Sequence, residues 1–355
     1  MAKPTAFPEL RPAGTLIPMS YPDTRRPRFE RVPMRRMVLT PRDLDILRPF
    51  RRYRLLQSTH LVALAQGSSQ TTLRRLQLLF HHGYLDRPPV QLDWYTRGSE
   101  PLVYALGNRG AEVLATKGEL RRGAVRWDTK NRKLSRVFLH HTLAVSEVMV
   151  AFEVACRSYE GVRLIPPEEV FRGAPVPTRR LHLPFRWQVE IRQSGKLHCL
   201  GVEPDRIFGL RFEGKPENQQ QVYFFLEADR GTMPVARKGL TQTSFLRKLL
   251  AYRETWRQRL HTVHLGISNF RVLTVTTSRE RREHLVEACR SLPDGDRLFL
   301  FTDRESLTYR DILAHEWVDG RGEAVRLLPP SGTRQAAWPS GKPLLVSGSH
   351  STSSQ

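Results

Sequence analysis

Cysteine, lysine and acidic charge are all scarce in this chain of 355 residues. The three cysteines, Cys156, Cys199 and Cys289, are odd in number and far apart, which excludes a disulfide framework and a thiolate metal site and points to a reduced, cytoplasmic setting. No run of about 18 apolar residues is present, so no membrane span is expected. The opening MAKPTAFPEL has no apolar stretch of the kind a secretory leader needs. Acids number 35 against 57 lysines and arginines, a formal charge of +22. Solubility needs only about 2 to 8 charges in a small domain, so the excess points to a polyanion, with nucleic acid the first candidate. Only nine of the basic residues are lysines, so each lysine carries information. At 39% hydrophobic residues the chain can still build cores and is not a disordered basic tail.

Residues 1–37 carry seven prolines among arginines without apolar periodicity and read as a disordered basic arm; 331–355, rich in Ser and Gly, read as a disordered tail. Between them, 38–120 form one unit. Thr40-Pro41 with Asp43 marks a helix start. Ser58-Thr59 opens a second helix, and Ser68 or Ser69 a third that runs to about His82. In the third, Leu73, Leu76, Leu79 and Phe80 form an apolar stripe. Gly83–Arg87 and Leu102–Leu106 read as a two-stranded wing, and Asn108 as the cap of a fourth helix. Helix, helix, helix, wing, helix is the order of a winged helix-turn-helix domain. The DNA-contact candidates are Thr71, Thr72, Arg74, Arg75 and Gln77 on the third helix, with Arg87 and Arg97 in or near the wing. Use of the unit for protein contacts is the other reading, since folds host many functions.

Residues 121–133 read as a basic linker, and 134–330 as an α/β domain. A long amphipathic helix (134–159) precedes strands at 185–193, 203–212 and 221–228, a helix at 244–260, and further strands and a helix to 302, in the order αβββαβαβ about a central sheet. Pro204-Asp205 lies at one strand, and Glu227-Ala228-Asp229 ends the next. Two acids entering one cleft from adjacent strands suit a hard cation such as Mg²⁺ or Mn²⁺, with Asp205 and Glu227 as ligands. His140 and His141 read as packing or hydrogen-bonding residues, and Tyr252, one helical turn after Lys248, as a core or phosphate contact.

The αβββαβ order with PD and a later E-x position resembles the PD-(D/E)xK nuclease superfamily. With the upstream unit the layout is similar to the replication-relaxation family of plasmid and mobile-element proteins, over about 39–302. The matching stretches include Ser69–Leu76, Gly83-Tyr84-Leu85, Val103–Leu106, His141, Pro204-Asp205, Phe225–Thr232, Lys248 and Tyr252. The resemblance implies an N-terminal winged helix-turn-helix followed by a restriction-endonuclease-like domain, with Asp205, Glu227, Asp229 and Lys248 as the catalytic set. Where the nuclease motif has its lysine this chain has Asp229, so the ammonium would come from Lys248 or Lys238, or Asp229 would serve as an extra acid. Three functions follow as expectations: a DNA-binding protein of a plasmid or mobile element that nicks or cleaves DNA with Mg²⁺, a non-catalytic regulator or assembly factor, and a cleaving subunit of a transposition or defence complex. Double-stranded DNA is the expected partner. Replication, transposition or defence proteins and a second copy of the chain are further candidates.

Overall fold

The structure is a computed structural model that describes residues 29–32, 37–65, 67–92, 100–121, 126–193, 195–237, 239–292, 297–307 and 311–328. Most of the two expected terminal segments, Arg97 and Lys238 lie outside the described residues.

The chain is mixed α/β, as composition and periodicity lead one to expect. It opens with α1 (Pro41–Leu47), β1 (Leu56–Gln57), α2 (Ser58–Leu64), α3 (Ser69–His81), β2 (Leu85–Asp86), β3 (Val103–Leu106) and α4 (Asn108–Thr116). Thr40 and Asp43 form a reciprocal capping box at the start of α1, which satisfies amide donors that the first turn leaves open. β3 lies between β1 and β2 in a small antiparallel sheet. Leu76, Leu79 and Phe80 of α3 are buried, but Leu73 is exposed, so the stripe is narrower than its spacing suggests. Gly107 and Gly110 allow α4 to press against the 83–84 backbone: a Cβ at Gly107 would strike the Gly83 carbonyl oxygen, and one at Gly110 that of Tyr84.

The expected linker contains a helix, α5 (Trp127–Arg132), whose Asn131 is fully buried and donates to Asp86 Oδ2 and the Leu106 carbonyl, each at 3.0 Å. The Asn108 side chain does not cap its own helix. Its oxygen accepts the N–H groups of Trp127 and Asp128 and so caps α5 instead.

The second half begins with α6 (Arg136–Ser158), β4 (Val162–Ile165), α7 (Pro167–Gly173) and α8 (Val176–Arg179). It continues with β5 (Trp187–Gln193), β6 (Lys196–Val202), β7 (Arg206–Phe212), β8 (Gln221–Ala228), α9 (Phe245–Arg257) and α10 (Leu260–Leu265). Last come β9 (Arg271–Thr276), α11 (Arg279–Arg290), β10 (Phe299–Asp303), β11 (Glu316–Asp319) and β12 (Ala324–Arg326). Seven strands form one sheet in the order β12-β11-β10-β9-β8-β7-β4, with β8, β9 and β10 parallel. The 185–193 strand is not part of it. Among the described residues β5 pairs only with β6, in a separate hairpin laid on α9, where Trp187 Nε1 donates to Thr255 Oγ1 at 3.0 Å. Its strict alternation reports one buried face, and such a face packs equally well against a helix or against a sheet.

Residue alternation along the central strands separates two cores. Phe208, Phe224, Leu226 and Val275 face α6, whereas Ile207, Phe225, Val272 and Phe301 face the layer of α9 and α11. By length and composition α6 could cross a membrane, a property that the polar residues interrupting its apolar run conceal; 56% of its most apolar window is buried in this fold. α6 also carries the first unit: Ser146 Oγ donates to the Leu55 carbonyl, Tyr53 to Glu153, and Arg157 to the Leu64 carbonyl.

Candidate functional site

Asp205 immediately precedes β7, and its amide donates to the Leu226 carbonyl at 3.1 Å. Since Arg206 pairs with Leu226 in the ladder, the next position places Asp205 beside Glu227 on the α9 side of the sheet. α9 then brings Lys248 and Tyr252, one helical turn apart, to the same place. Lys248 Nζ donates to Glu227 Oε2 at 2.5 Å, and the Tyr252 hydroxyl donates to Glu227 Oε1. From the opposite layer, His141 Nε2 of α6 lies 3.1 Å from Asp205 Oδ1, while Asp205 Oδ2 accepts the Ala228 amide at 2.8 Å. Asp205, Glu227 and Lys248 are therefore brought together, with His141 joining as a hydrogen-bond partner of Asp205. His141, Glu203, Asp205 and Lys248 line a cavity of about 500 Å³.

Asp229 has different neighbours. Its amide donates to the Val275 carbonyl, its carboxylate accepts from Thr276 Oγ1 at 2.7 Å, and Arg281 of α11 clamps it at 3.0 Å. That is the geometry of a residue tying α11 to the strand ends, and the sequence holds no local sign of it because Arg281 lies 52 residues away.

The electrostatics follow from this packing. Burial, reinforced by the nearby Asp205 charge and opposed by Lys248, pushes the Glu227 carboxyl up to about 7. Desolvation opposes the charge on Lys248, but Glu227 and Asp205 outweigh it and raise its pKa. The hydrogen bond to Asp205 raises His141, again against burial. Tyr252 is raised by burial and by Glu227.

All four carboxylate oxygens of Asp205 and Glu227 already accept hydrogen bonds, and Glu227 is only 2% exposed, shut off behind Lys248 and Tyr252. A donor pair for a divalent cation is thus not open in this arrangement: the Lys248 ammonium stands against the carboxylate that would have to share the ion.

The candidate DNA-contact residues separate into two groups. Thr71 and Arg74 are exposed on α3 and Gln77 is half-buried there. Thr72 is 1% exposed; its hydroxyl donates to the Ser68 carbonyl and accepts from Arg42. Arg75 binds the buried Asp43 in a bidentate pair through one guanidinium edge, Nε to Oδ1 at 2.7 Å and Nη2 to Oδ2. Arg87 is 5% exposed, over the Phe80 and Tyr104 rings, and donates to the Tyr104 hydroxyl at 3.0 Å. Thr72 and Arg87 thus hold the first unit together and do not face solvent. Their polar character suggests a surface role, and only the packing reveals the buried one.

Comparison with the curated proteins gives no match, and comparison with the solved structures gives none either. The replication-relaxation family model matches residues 47–270, a span that takes in α3, the His141–Asp205 contact and the Glu227–Lys248 pair. The chain belongs to the replication-relaxation family.

Proposed function

We propose that the chain is a DNA-binding protein of a plasmid or other mobile element, that it engages duplex DNA through α3, and that it serves replication or mobilisation. The observation that carries this reading is the division of α3 into two faces. Leu76, Leu79 and Phe80 are buried, and Arg75 is locked to Asp43, which leaves Thr71 and Arg74 presented to solvent in a chain of formal charge +22. The order α1, β1, α2, α3, β2, β3, with the three strands in one small sheet, supports a winged helix-turn-helix reading, in which such a face contacts the major groove and its flanking phosphates.

The test is the salt dependence of binding to duplex DNA. Arg74→Ala is expected to weaken binding and to flatten the log-log slope by about 0.9 for each phosphate that the arginine neutralises. An unchanged slope moves the docking surface elsewhere.

A second reading, DNA cleavage in a nuclease-like domain, is favoured by the meeting of Asp205, Glu227 and Lys248 at adjacent strand ends. It requires Lys248 to release Glu227 before a cation can enter. A supercoiled plasmid incubated with Mg²⁺ or Mn²⁺ separates the two readings: nicking by the wild type that disappears in both Asp205→Ala and Glu227→Ala establishes cleavage, and intact plasmid throughout leaves the DNA-binding reading.

A further inference from the structure

β8, β9 and β10 run parallel, so their carboxyl ends share one edge of the sheet, the edge at which open α/β sheets place their ligands. Arg230 lies two residues beyond β8, held in place by the Asp229 amide on the Val275 carbonyl. Arg304 lies directly beyond β10, and its amide donates to the Thr276 carbonyl at 3.0 Å. The first turn of α6 meets the same edge, because His141 reaches Asp205 there. That turn carries the exposed Arg136, Val137 and Phe138; Val137 is 59% and Phe138 44% exposed. Arg136, Arg230 and Arg304 all bear electrostatically on His140, with Glu100 the opposing charge. The cavity of about 500 Å³ lined by His141, Asp205 and Lys248 lies along this edge.

Two apolar side chains left in water on a turn that carries Arg136, at the strand ends that carry Arg230 and Arg304, call for a partner that is anionic and has flat apolar faces. An unpaired nucleic-acid strand has both, since its phosphates meet arginines while its bases stack on aromatic rings. A duplex keeps its bases stacked internally, so an isolated phenylalanine gains little from it.

We propose that the carboxyl edge of β8–β10 and the first turn of α6 form a binding surface for unpaired DNA, with a base stacked on Phe138 and phosphates on Arg136, Arg230 and Arg304. This rests on the reading of the chain as a DNA-binding protein but uses a surface other than α3. It gives the protein two DNA contacts of different kinds, one for a duplex and one for a strand released from it.

Fluorescence anisotropy of the full chain with a labelled oligothymidylate of about 12 nucleotides, in EDTA, tests the surface. The wild type is expected to bind. Phe138→Ala should weaken binding by roughly 10-fold, the lower part of the range for removal of one base stack, while Phe138→Trp keeps it. Arg304→Ala should weaken it and lower the salt slope by about 0.7. Arg74→Ala, on α3, should leave it unchanged. Absence of oligothymidylate binding by the wild type overturns the proposal, as does wild-type affinity in Phe138→Ala, or a weakening in Arg74→Ala as large as that in Phe138→Ala. Failure of the duplex experiment with oligothymidylate binding intact would instead remove the α3 reading and leave this surface standing.

Discussion

Lys248 Nζ lies 2.5 Å from Glu227 Oε2, joining a helix to a strand end across 21 residues of sequence, and Tyr252 from the next turn of the same helix closes on the other oxygen. The carboxyl group is enclosed by α9, and its protonation is thereby linked to folding.

Because burial raises the Glu227 pKa above its ordinary value of 4.5 to about 7, the folded chain holds this proton more tightly than the unfolded one. The stabilising contribution is complete below the unfolded value and is lost as pH rises through about 7. Urea denaturation should therefore show a decline in stability between about pH 4.5 and about pH 7, at up to about 1.4 kcal/mol per pH unit from this single group. Glu227→Gln should remove that part of the decline; an identical pH dependence in the variant would refute the linkage.

His141 behaves with the same sign for a different reason. The Asp205 carboxylate favours the imidazolium, so the contribution of this pair is complete below the ordinary histidine value of 6.5 and disappears as pH rises through the elevated folded value. NMR titration should find the His141 resonance shifting at a higher pH than in Asp205→Asn. Equal midpoints would show that the hydrogen bond does not set the ionisation.

The buried Asp43 separates the roles of two adjacent arginines. Arg75 neutralises it, and burial, which favours the neutral acid, is outweighed by Arg75 and Thr40, so that its pKa falls below the ordinary value. Arg75→Ala leaves an uncompensated buried carboxylate and should cost about 3 kcal/mol. Arg74→Ala, on the exposed face, should change stability by less than about 0.5 kcal/mol while weakening duplex binding. Chemical denaturation of both variants beside their DNA affinities checks the division.

Arg87 gives the complementary case. Its guanidinium lies between the Phe80 and Tyr104 rings, 4.2 Å and 5.1 Å from their centroids. Arg87→Leu removes the hydrogen bond to Tyr104 and both cation–π interactions, and should destabilise the protein by about 1–3 kcal/mol. DNA affinity should stay unchanged at a temperature where the variant is folded. A lower affinity with full stability would return Arg87 to the DNA-contact set.

Much of the secondary structure is legible in the residues. The Thr40 capping box, the long apolar face of α6, the nearly continuous apolar run of β8 and the one-turn spacing of Lys248 and Tyr252 are all local patterns, with periods set by backbone geometry. The charge excess likewise depends on composition alone. Partner choice is not local. Whether the alternating 187–193 strand joins the large sheet or a hairpin depends on which backbone edge it meets, and alternation is the same in both cases. Whether Asp229 belongs with Glu227 or with Arg281 depends on where α11 packs, and whether Arg75 or Arg74 faces solvent depends on a carboxylate 32 residues upstream of Arg75. The sequence by itself determined the element types, the basic character and the presence of acids at two strand ends. Only the tertiary structure decided which acid takes which cation, because ion pairs and hydrogen bonds form between groups that folding brings within about 3 Å, whatever their separation along the chain.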